Sequence, residues 1–178
     1  MENRKILNRK LLANILIILL AVFARLIPHA PNFTPIGGLA IFSGSHFKSK
    51  LAILIPLLSM IVSDLFLGFH KTIPYVYLSF IAIYFLGRLI KNEITFNKTI
   101  IVSLSSSMLF FLVTNFGVWI TGSIYQKSIF GLMQSYIMGL PFLRNTLISD
   151  LFYSLTFIYG YKYFFSVLKN KISRAKIK

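Results

Sequence analysis

Two carboxylates in this chain lie within long apolar runs, which is an expensive place for a charge. Asp64 and Asp150 are two of only four acidic residues in the sequence. A carboxylate in such a position usually pairs with a basic side chain, relays protons or contacts a ligand. We interpret Asp150 as a ligand-binding residue. For Asp64 the sequence leaves two roles open, a structural ion pair and a place in the site.

Other polar residues are spaced so that they can share helix faces near these acids. Arg25 and His29 are four residues apart, as are Asn115 and Trp119, and this spacing places each pair on one face of a helix. A few convergent polar groups between apolar and aromatic walls are typical of small-molecule sites. The candidate ligand-binding residues are His29, Asn32, Asn115, Trp119, Asn145 and Asp150, with Arg25, Asp64 and Arg144 as ion-pair partners or supports of the site.

The same residue types disfavour metal and enzyme chemistry. There are no cysteines and three histidines, and His29 has no second histidine beside it, so we expect neither a metal site nor a cofactor. The sequence contains no nucleotide-binding loop or metalloprotease motif. We therefore expect a protein that is not an enzyme. An intramembrane enzyme that uses His29 with Asp64 or Asp150 on a lipid is a weaker alternative, because such enzymes usually need more acidic residues.

The elements that must position these residues are membrane helices. The chain carries 19 Lys and Arg residues against 4 Asp and Glu, which gives a formal charge of +15, yet 56% of it is hydrophobic. In a soluble protein this charge would suggest nucleic-acid binding. Here the charges separate long apolar runs, a pattern typical of a multi-pass membrane protein. No polar stretch is long enough to fold alone, so residues 1–178 form a single membrane domain.

Six apolar runs predict an all-α bundle of six transmembrane helices. They cover roughly 11–28, 34–46, 49–68, 73–91, 99–121 and 140–168. Five of them are long enough for a span of ~20 residues, but 34–46 is short. If this segment also crosses the membrane, the extended stretch before it must supply the missing length, and it must line a cavity or be buried in protein.

The distribution of basic residues supports six spans. With both termini in the cytoplasm, 15 of the 19 Lys and Arg residues lie inside, and only Arg25, Lys71, Lys127 and Arg144 lie outside. If 34–46 did not cross, 7 would lie inside and 12 outside. We therefore predict a multi-pass protein of the bacterial cytoplasmic membrane. Its candidate site residues then gather at the outer face.

The second predicted helix is rich in small residues, so few bulky side chains project from it. Ala40 and Gly44 form a small-xxx-small pattern, which allows close contact between helices. Two interpretations stay open, namely packing inside the bundle and a docking surface for a partner protein.

Several segments resemble a known class of membrane proteins. These are the run Arg25-Leu-Ile-Pro-His-Ala-Pro-Asn-Phe-Thr-Pro-Ile-Gly-Gly-Leu-Ala-Ile-Phe-Ser-Gly44, the triplet Ser63-Asp64-Leu65, the segment Asn115-Phe-Gly-Val-Trp119 and the run from Leu140 to Asp150. They resemble a family of uncharacterised bacterial membrane proteins that is similar to the substrate-binding S components of energy-coupling-factor (ECF) vitamin transporters. The resemblance covers nearly the whole chain.

The resemblance implies a fold, a function and partners. It implies six helices, a capping first loop and an outer ligand pocket formed by 29–35, Asn115, Trp119 and the start of helix 6. S components bind a micronutrient and dock on a transmembrane coupling protein that carries two ATP-binding-cassette ATPases. The chain departs from those S components that share a coupling protein, because its first helix has Ala13, Ile17 and Ala21 where alanines four apart are typical. The coupling partner is therefore shared, dedicated or absent.

Two further functions stay open. One is a standalone secondary carrier, in which Asp64 or Asp150 could link transport to protons, although no inverted repeat is evident. The other is a membrane assembly or scaffold subunit, in which the polar residues would serve internal packing alone.

Overall fold

The computed structural model describes the backbone of residues 2–175 and the side chains of residue 12 and residues 15–167. Within this part the chain is all-helical and contains no strand. The helices are α1 (Glu2–Leu26), α2 (Ile36–His46), α3 (Leu54–Leu67), α4 (Ile73–Leu89), α5 (Phe96–Thr121) and α6 (Ile129–Ala175), and a short 3₁₀ turn (Lys50–Ile53) leads into α3.

The predicted helices overlap those of the structure, but the first and the last differ in extent. Helix α1 begins at Glu2 rather than near residue 11, and α6 is longer at both ends than the predicted run. The sixth apolar run was placed at 140–168, whereas α6 begins at Ile129 and contains Pro141. Proline removes one backbone donor, but a long helix that packs against neighbours can continue through it. Arg144 and Asn145, which are close to the predicted start at 140, therefore lie well inside α6.

Helix α2 lies at the centre of the bundle, between α4 and α6. All its residues from Ile36 to Ser45 are buried, because small and apolar residues surround the whole helix. A Cβ atom on Gly44 would lie 2.2 Å from the backbone oxygen of Tyr84, and a Cβ on Gly87 would lie 2.5 Å from that of Ile41. The absence of side chains at these two glycines lets α2 and α4 touch through their backbones.

The bundle has an apolar surface and a partly polar interior. Large hydrophobic side chains such as Leu19, Phe66, Leu89 and Ile101 are more than half exposed, while serine and threonine occupy much of the buried space. Two helical segments are long and apolar enough to cross a membrane, Lys50–Leu67 and Phe96–Thr121. An exposed apolar area of this extent on a bundle is suited to contact with lipid.

Serines line the contact between α5 and α6. Ser103 Oγ lies 2.6 Å from Ser154 Oγ, and Ser107 Oγ donates a 2.7 Å hydrogen bond to Asp150 Oδ2. Each hydroxyl also lies within hydrogen-bond distance of a carbonyl oxygen one turn earlier in α5, at 2.8 Å for Ser103 and 3.1 Å for Ser107. These bonds fix the register between the two helices and hold the carboxylate of Asp150 in one orientation.

Candidate functional site

A cavity of about 350 Å³ lies between the ends of α1 to α6 that the sequence assigns to the outer side. Exposed loop residues border one end of it, among them Asn32 and His70. Apolar side chains form much of its wall, and a small set of polar groups interrupts them. The apolar set is Met60, Val76, Phe80, Phe110, Val118, Met138 and Phe142.

One face of α6 runs along the whole cavity. Ser135, Gly139, Phe142, Thr146 and Asp150 follow one another at spacings of three or four residues and all line it. At ~1.5 Å per residue, this face is roughly 22 Å long. Asp150 is the last of these residues along α6, and it lies one residue beyond Ser149, which bonds to the segment before α2.

Arg25 and Asp64 form a buried ion pair at the edge of the cavity. Arg25 Nη2 lies 2.7 Å from Asp64 Oδ1, and the two side chains are 13% and 1% exposed. Tyr77 donates a 2.8 Å hydrogen bond to the other carboxylate oxygen, and Arg25 also donates to Ser63 Oγ. Both carboxylate oxygens of Asp64 thus have partners within the protein. Asp64 does not line the cavity, whereas Arg25 does. Of the two roles open for Asp64, the structure shows the ion pair.

Asp150 is buried, at 2% exposure, and lies opposite the start of α2. Its Oδ2 accepts the hydrogen bond from Ser107, and its Oδ1 occupies the space that a side chain at Gly37 would fill, since a Cβ there would lie 2.0 Å away. Within the described part of the chain, no basic side chain pairs with Asp150. The carboxylate therefore faces the cavity, which both Gly37 and Asp150 line, with one oxygen free to accept a hydrogen bond.

A tight turn closes part of the cavity. Phe33 N donates to Ala30 O at 2.9 Å, Pro31 occupies the second turn position, and Asn32 has φ of 62°. Proline followed by a residue with positive φ is the type II pattern, and asparagine tolerates that conformation better than most residues. The turn holds Pro31 and Asn32 against the cavity.

Helix α6 anchors this turn through two hydrogen bonds. Asn145 Nδ2 donates to Pro31 O at 2.9 Å, and Ser149 Oγ donates to Thr34 O at 3.1 Å. Asn145 therefore supports the loop from behind and does not itself line the cavity. We expect the loop to keep its position over the cavity because both ends of it are tied to α6.

Asn115 lines the cavity from α5. Its amide nitrogen donates to Phe111 O at 2.8 Å, and its Oδ1 lies against Gly139 of α6, where a Cβ would be only 2.4 Å away. Ser135 donates to the backbone oxygen of Asn115 at 3.3 Å. Gly139 thus allows α5 and α6 to approach closely beside the amide.

Trp119 lies outside the cavity lining and organises the loop between α5 and α6. Its indole nitrogen donates to Gln126 O at 2.9 Å, and Lys127 lies over the ring, 5.8 Å from its centroid. Lys127 also donates to the backbone oxygen of Trp119 and, at 2.6 Å, to that of Gly122. The same loop contributes Tyr125 to the cavity, so Trp119 supports the site indirectly.

The structure thus brings Arg25, Asn32, Asn115 and Asp150 together around one cavity. The other candidates lie elsewhere. His29 is exposed and its Nε2 lies 3.2 Å from Arg25 O, and Arg144 is exposed on α6. Three further candidates do not line the cavity, namely Asp64, Trp119 and Asn145.

Several cavity residues were absent from the sequence-based set. Thr146 lies four residues before Asp150, so the face that Asp150 defines could have indicated it. Thr114 directly precedes Asn115, and no sequence pattern indicated that it lines the cavity. The remaining polar members are Thr34, His70, Thr72, Tyr125 and Ser135.

Ala40 and Gly44 were also considered as a docking surface. Ala40 is fully buried, and Gly44 contacts the backbone of α4, so both residues serve packing within the bundle. Of the two interpretations left open for these residues, their burial corrects the docking surface and supports packing inside the bundle. Among the side chains that the structure describes, no group of three or more His, Asp or Glu residues is placed to hold a metal ion.

In the part of the chain that the structure describes, fold and site define an all-helical bundle with an apolar surface and a polar-lined cavity between its helix ends. The chain belongs to a family of unknown function, DUF6580, whose model matches residues 5–173. No curated protein and no solved structure matches the chain.

Proposed function

We propose that this protein is the substrate-binding membrane subunit of an ECF-type uptake system for a vitamin or a related small molecule. It binds the ligand near the outer face of the bacterial cytoplasmic membrane and is not an enzyme. A separate module, a transmembrane coupling protein with two ATP-binding-cassette ATPases, supplies the energy. The resemblance of the sequence motifs to S components suggests this mechanism.

The cavity is the observation that supports a binding role. Its volume of about 350 Å³ falls within the ~300–1,000 Å³ range of small-molecule pockets. Its walls combine phenylalanine and methionine with a few amide, hydroxyl and charged groups, which is the composition expected for selective binding. The turn at residues 30–33 covers part of it, as expected for a capping loop.

The arrangement of connections supports six spans with both termini in the cytoplasm. The loops before α2, α4 and α6 contribute Asn32, His70 and Tyr125 to the cavity, so they share one end of the bundle. Lys48, Lys91 and Lys98 lie in or beside the other connections. This separation agrees with the charge distribution. The basic residues of the N-terminal segment and of the tail from Lys169 onward lie outside the described side chains.

Mass spectrometry of small molecules released from the detergent-purified protein tests the binding role. Thr114 lines the cavity and Leu112 of the same helix is half exposed on its outside. We expect a stoichiometric compound from the wild type and from Leu112→Trp, and loss of that compound from Thr114→Trp, whose larger side chain fills the cavity. Equal amounts from both variants, or no compound after growth in rich medium, would contradict the proposal.

Transport by the isolated protein distinguishes the subunit from a secondary carrier. We expect proteoliposomes that contain this chain alone to bind the compound without concentrating it under a proton gradient, since the energy comes from a separate ATPase module. Accumulation without ATP would instead establish a carrier. A scaffold subunit would show neither binding nor accumulation.

A further inference from the structure

We propose that the ligand carries a protonated nitrogen, as an amine or amidinium group, which pairs with Asp150 where α6 faces the start of α2. This inference rests on the proposed binding function and concerns the chemical class of the ligand. Three observations support it: the balance of charge in the lining, the free oxygen of Asp150 and the size and walls of the cavity.

The lining contains one carboxyl group that has no cationic partner among the described side chains. Arg25 borders the cavity, but its charge is neutralised by Asp64 at 2.7 Å. Asp150 receives a hydrogen bond from the uncharged Ser107 and, within the described residues, has no cationic partner. The imidazole of His70 lies at the exposed rim, with its Nδ1 2.7 Å from Thr72 Oγ1. A cation therefore complements this cavity better than an anion does.

The free oxygen of Asp150 is held in place. Ser107 fixes Oδ2, and Oδ1 lies against Gly37 at the first turn of α2, where no side chain competes for the space. Among the described residues no donor bonds to Oδ1, so a ligand donor at this position replaces no hydrogen bond of the protein. A charge-assisted hydrogen bond at this position is stronger than one between neutral groups, because it forms in a poorly solvated site.

The cavity is too large for an inorganic cation alone. A volume of about 350 Å³ corresponds to roughly twelve water molecules, at ~30 Å³ each. Phe80 and Phe110 pack together with their centroids 5.2 Å apart and both border this space, as does Phe142. Aromatic faces attract cationic groups and cover the carbon skeleton of an organic ligand. An organic cation satisfies both the carboxylate and the apolar wall.

The test compares three probes of nearly equal shape on the full-length protein, purified in detergent and freed of bound compounds. The probes are benzamidinium, which is cationic, benzamide, which is neutral, and benzoate, which is anionic. Calorimetry on the wild type should show benzamidinium binding at least ~10-fold more tightly than the other two, because only benzamidinium can form a desolvated ion pair with Asp150. This comparison does not depend on any variant folding.

Two variants that each remove one carboxylate show which residue causes the preference for benzamidinium. Asp150→Asn should abolish the preference for benzamidinium. Glu93→Gln should keep it, because Glu93 is exposed in the connection between α4 and α5, away from the cavity. An equal affinity for benzamide, a higher affinity for benzoate, or a preference that survives Asp150→Asn would overturn the inference.

The failure of this inference can be separated from the failure of the binding function. If a neutral or anionic compound copurifies with the wild type and is lost from Thr114→Trp, the protein is a binding subunit but its ligand is not cationic. If none of the three probes binds and no compound copurifies, both proposals are wrong.

Discussion

Arg25 of α1 and Asp64 of α3 are joined by an ion pair, with 2.7 Å between Nη2 and Oδ1. Helix α1 packs mainly against α3, so this pair lies in the main contact that holds α1 to the bundle. Because the pair also cancels the charge of Arg25 beside the cavity, it connects the stability of the bundle with the electrostatics of the site.

Removing one member of this pair should destabilise the protein. We expect Asp64→Asn to lower the free energy of unfolding by about 3–5 kcal/mol, because it leaves the guanidinium of Arg25 buried without its counter-charge. Unfolding by a denaturing detergent, followed by circular dichroism, measures the change. The double variant Arg25→Met/Asp64→Leu, which removes both charges, should recover part of the loss. If the double variant were less stable than Asp64→Asn, this explanation would be wrong.

Close contact between α2 and α4 predicts a large effect of a single methyl group. A Cβ on Gly44 would lie 2.2 Å from the backbone oxygen of Tyr84, so we expect Gly44→Ala to cost about 1–3 kcal/mol of stability. Gly160 of α6 is the matched control, since a Cβ there has no neighbour within 4 Å. Gly160→Ala should be neutral or stabilising by up to ~1 kcal/mol, because alanine favours helix. Equal midpoints of thermal unfolding for both variants would contradict the packing described for α2.

The turn over the cavity should loosen when its anchor on α6 is removed. Asn145→Ala deletes the hydrogen bond to Pro31 O, which contributes about 0.5–1.5 kcal/mol. We expect amide hydrogen exchange of the segment around Phe33 to accelerate several-fold while the helices exchange as before. Thr156→Ala is a suitable control, because Thr156 is exposed and bonds only to Phe152 O of its own helix. A similar acceleration in both variants would show that Asn145 is no anchor.

The absence of cysteine allows a direct test of topology. Single cysteines introduced at Lys71 and Ser123 should react with a membrane-impermeant maleimide added to intact cells, because both positions belong to the cavity end. Cysteines at Lys48 and Asn92 should react only after the membrane is permeabilised. All four positions are exposed. Labelling of Lys48→Cys in intact cells would exclude the six-span arrangement with cytoplasmic termini.

The sequence by itself determined the helical class, most helix positions and the end of the bundle where polar residues gather. These follow from local information, because the length and period of apolar runs set the helices. The same rules singled out Asp64 and Asp150, since few acidic residues interrupt such runs. The start of α6 at Ile129 was missed, because Pro141 lies inside a helix that packing maintains.

The tertiary structure decided which of the polar residues share a site. Two carboxylates that look alike in sequence have different roles, because Arg25 and Tyr77 contact Asp64 whereas Asp150 lies opposite Gly37 and keeps one oxygen free. In the structure Trp119 and Asn145 hold loops in place, and Thr114 and Thr146 line the cavity. Spacing along a helix places residues on a common face, but the partner of that face depends on how helices far apart in sequence pack, and only the folded chain fixes this.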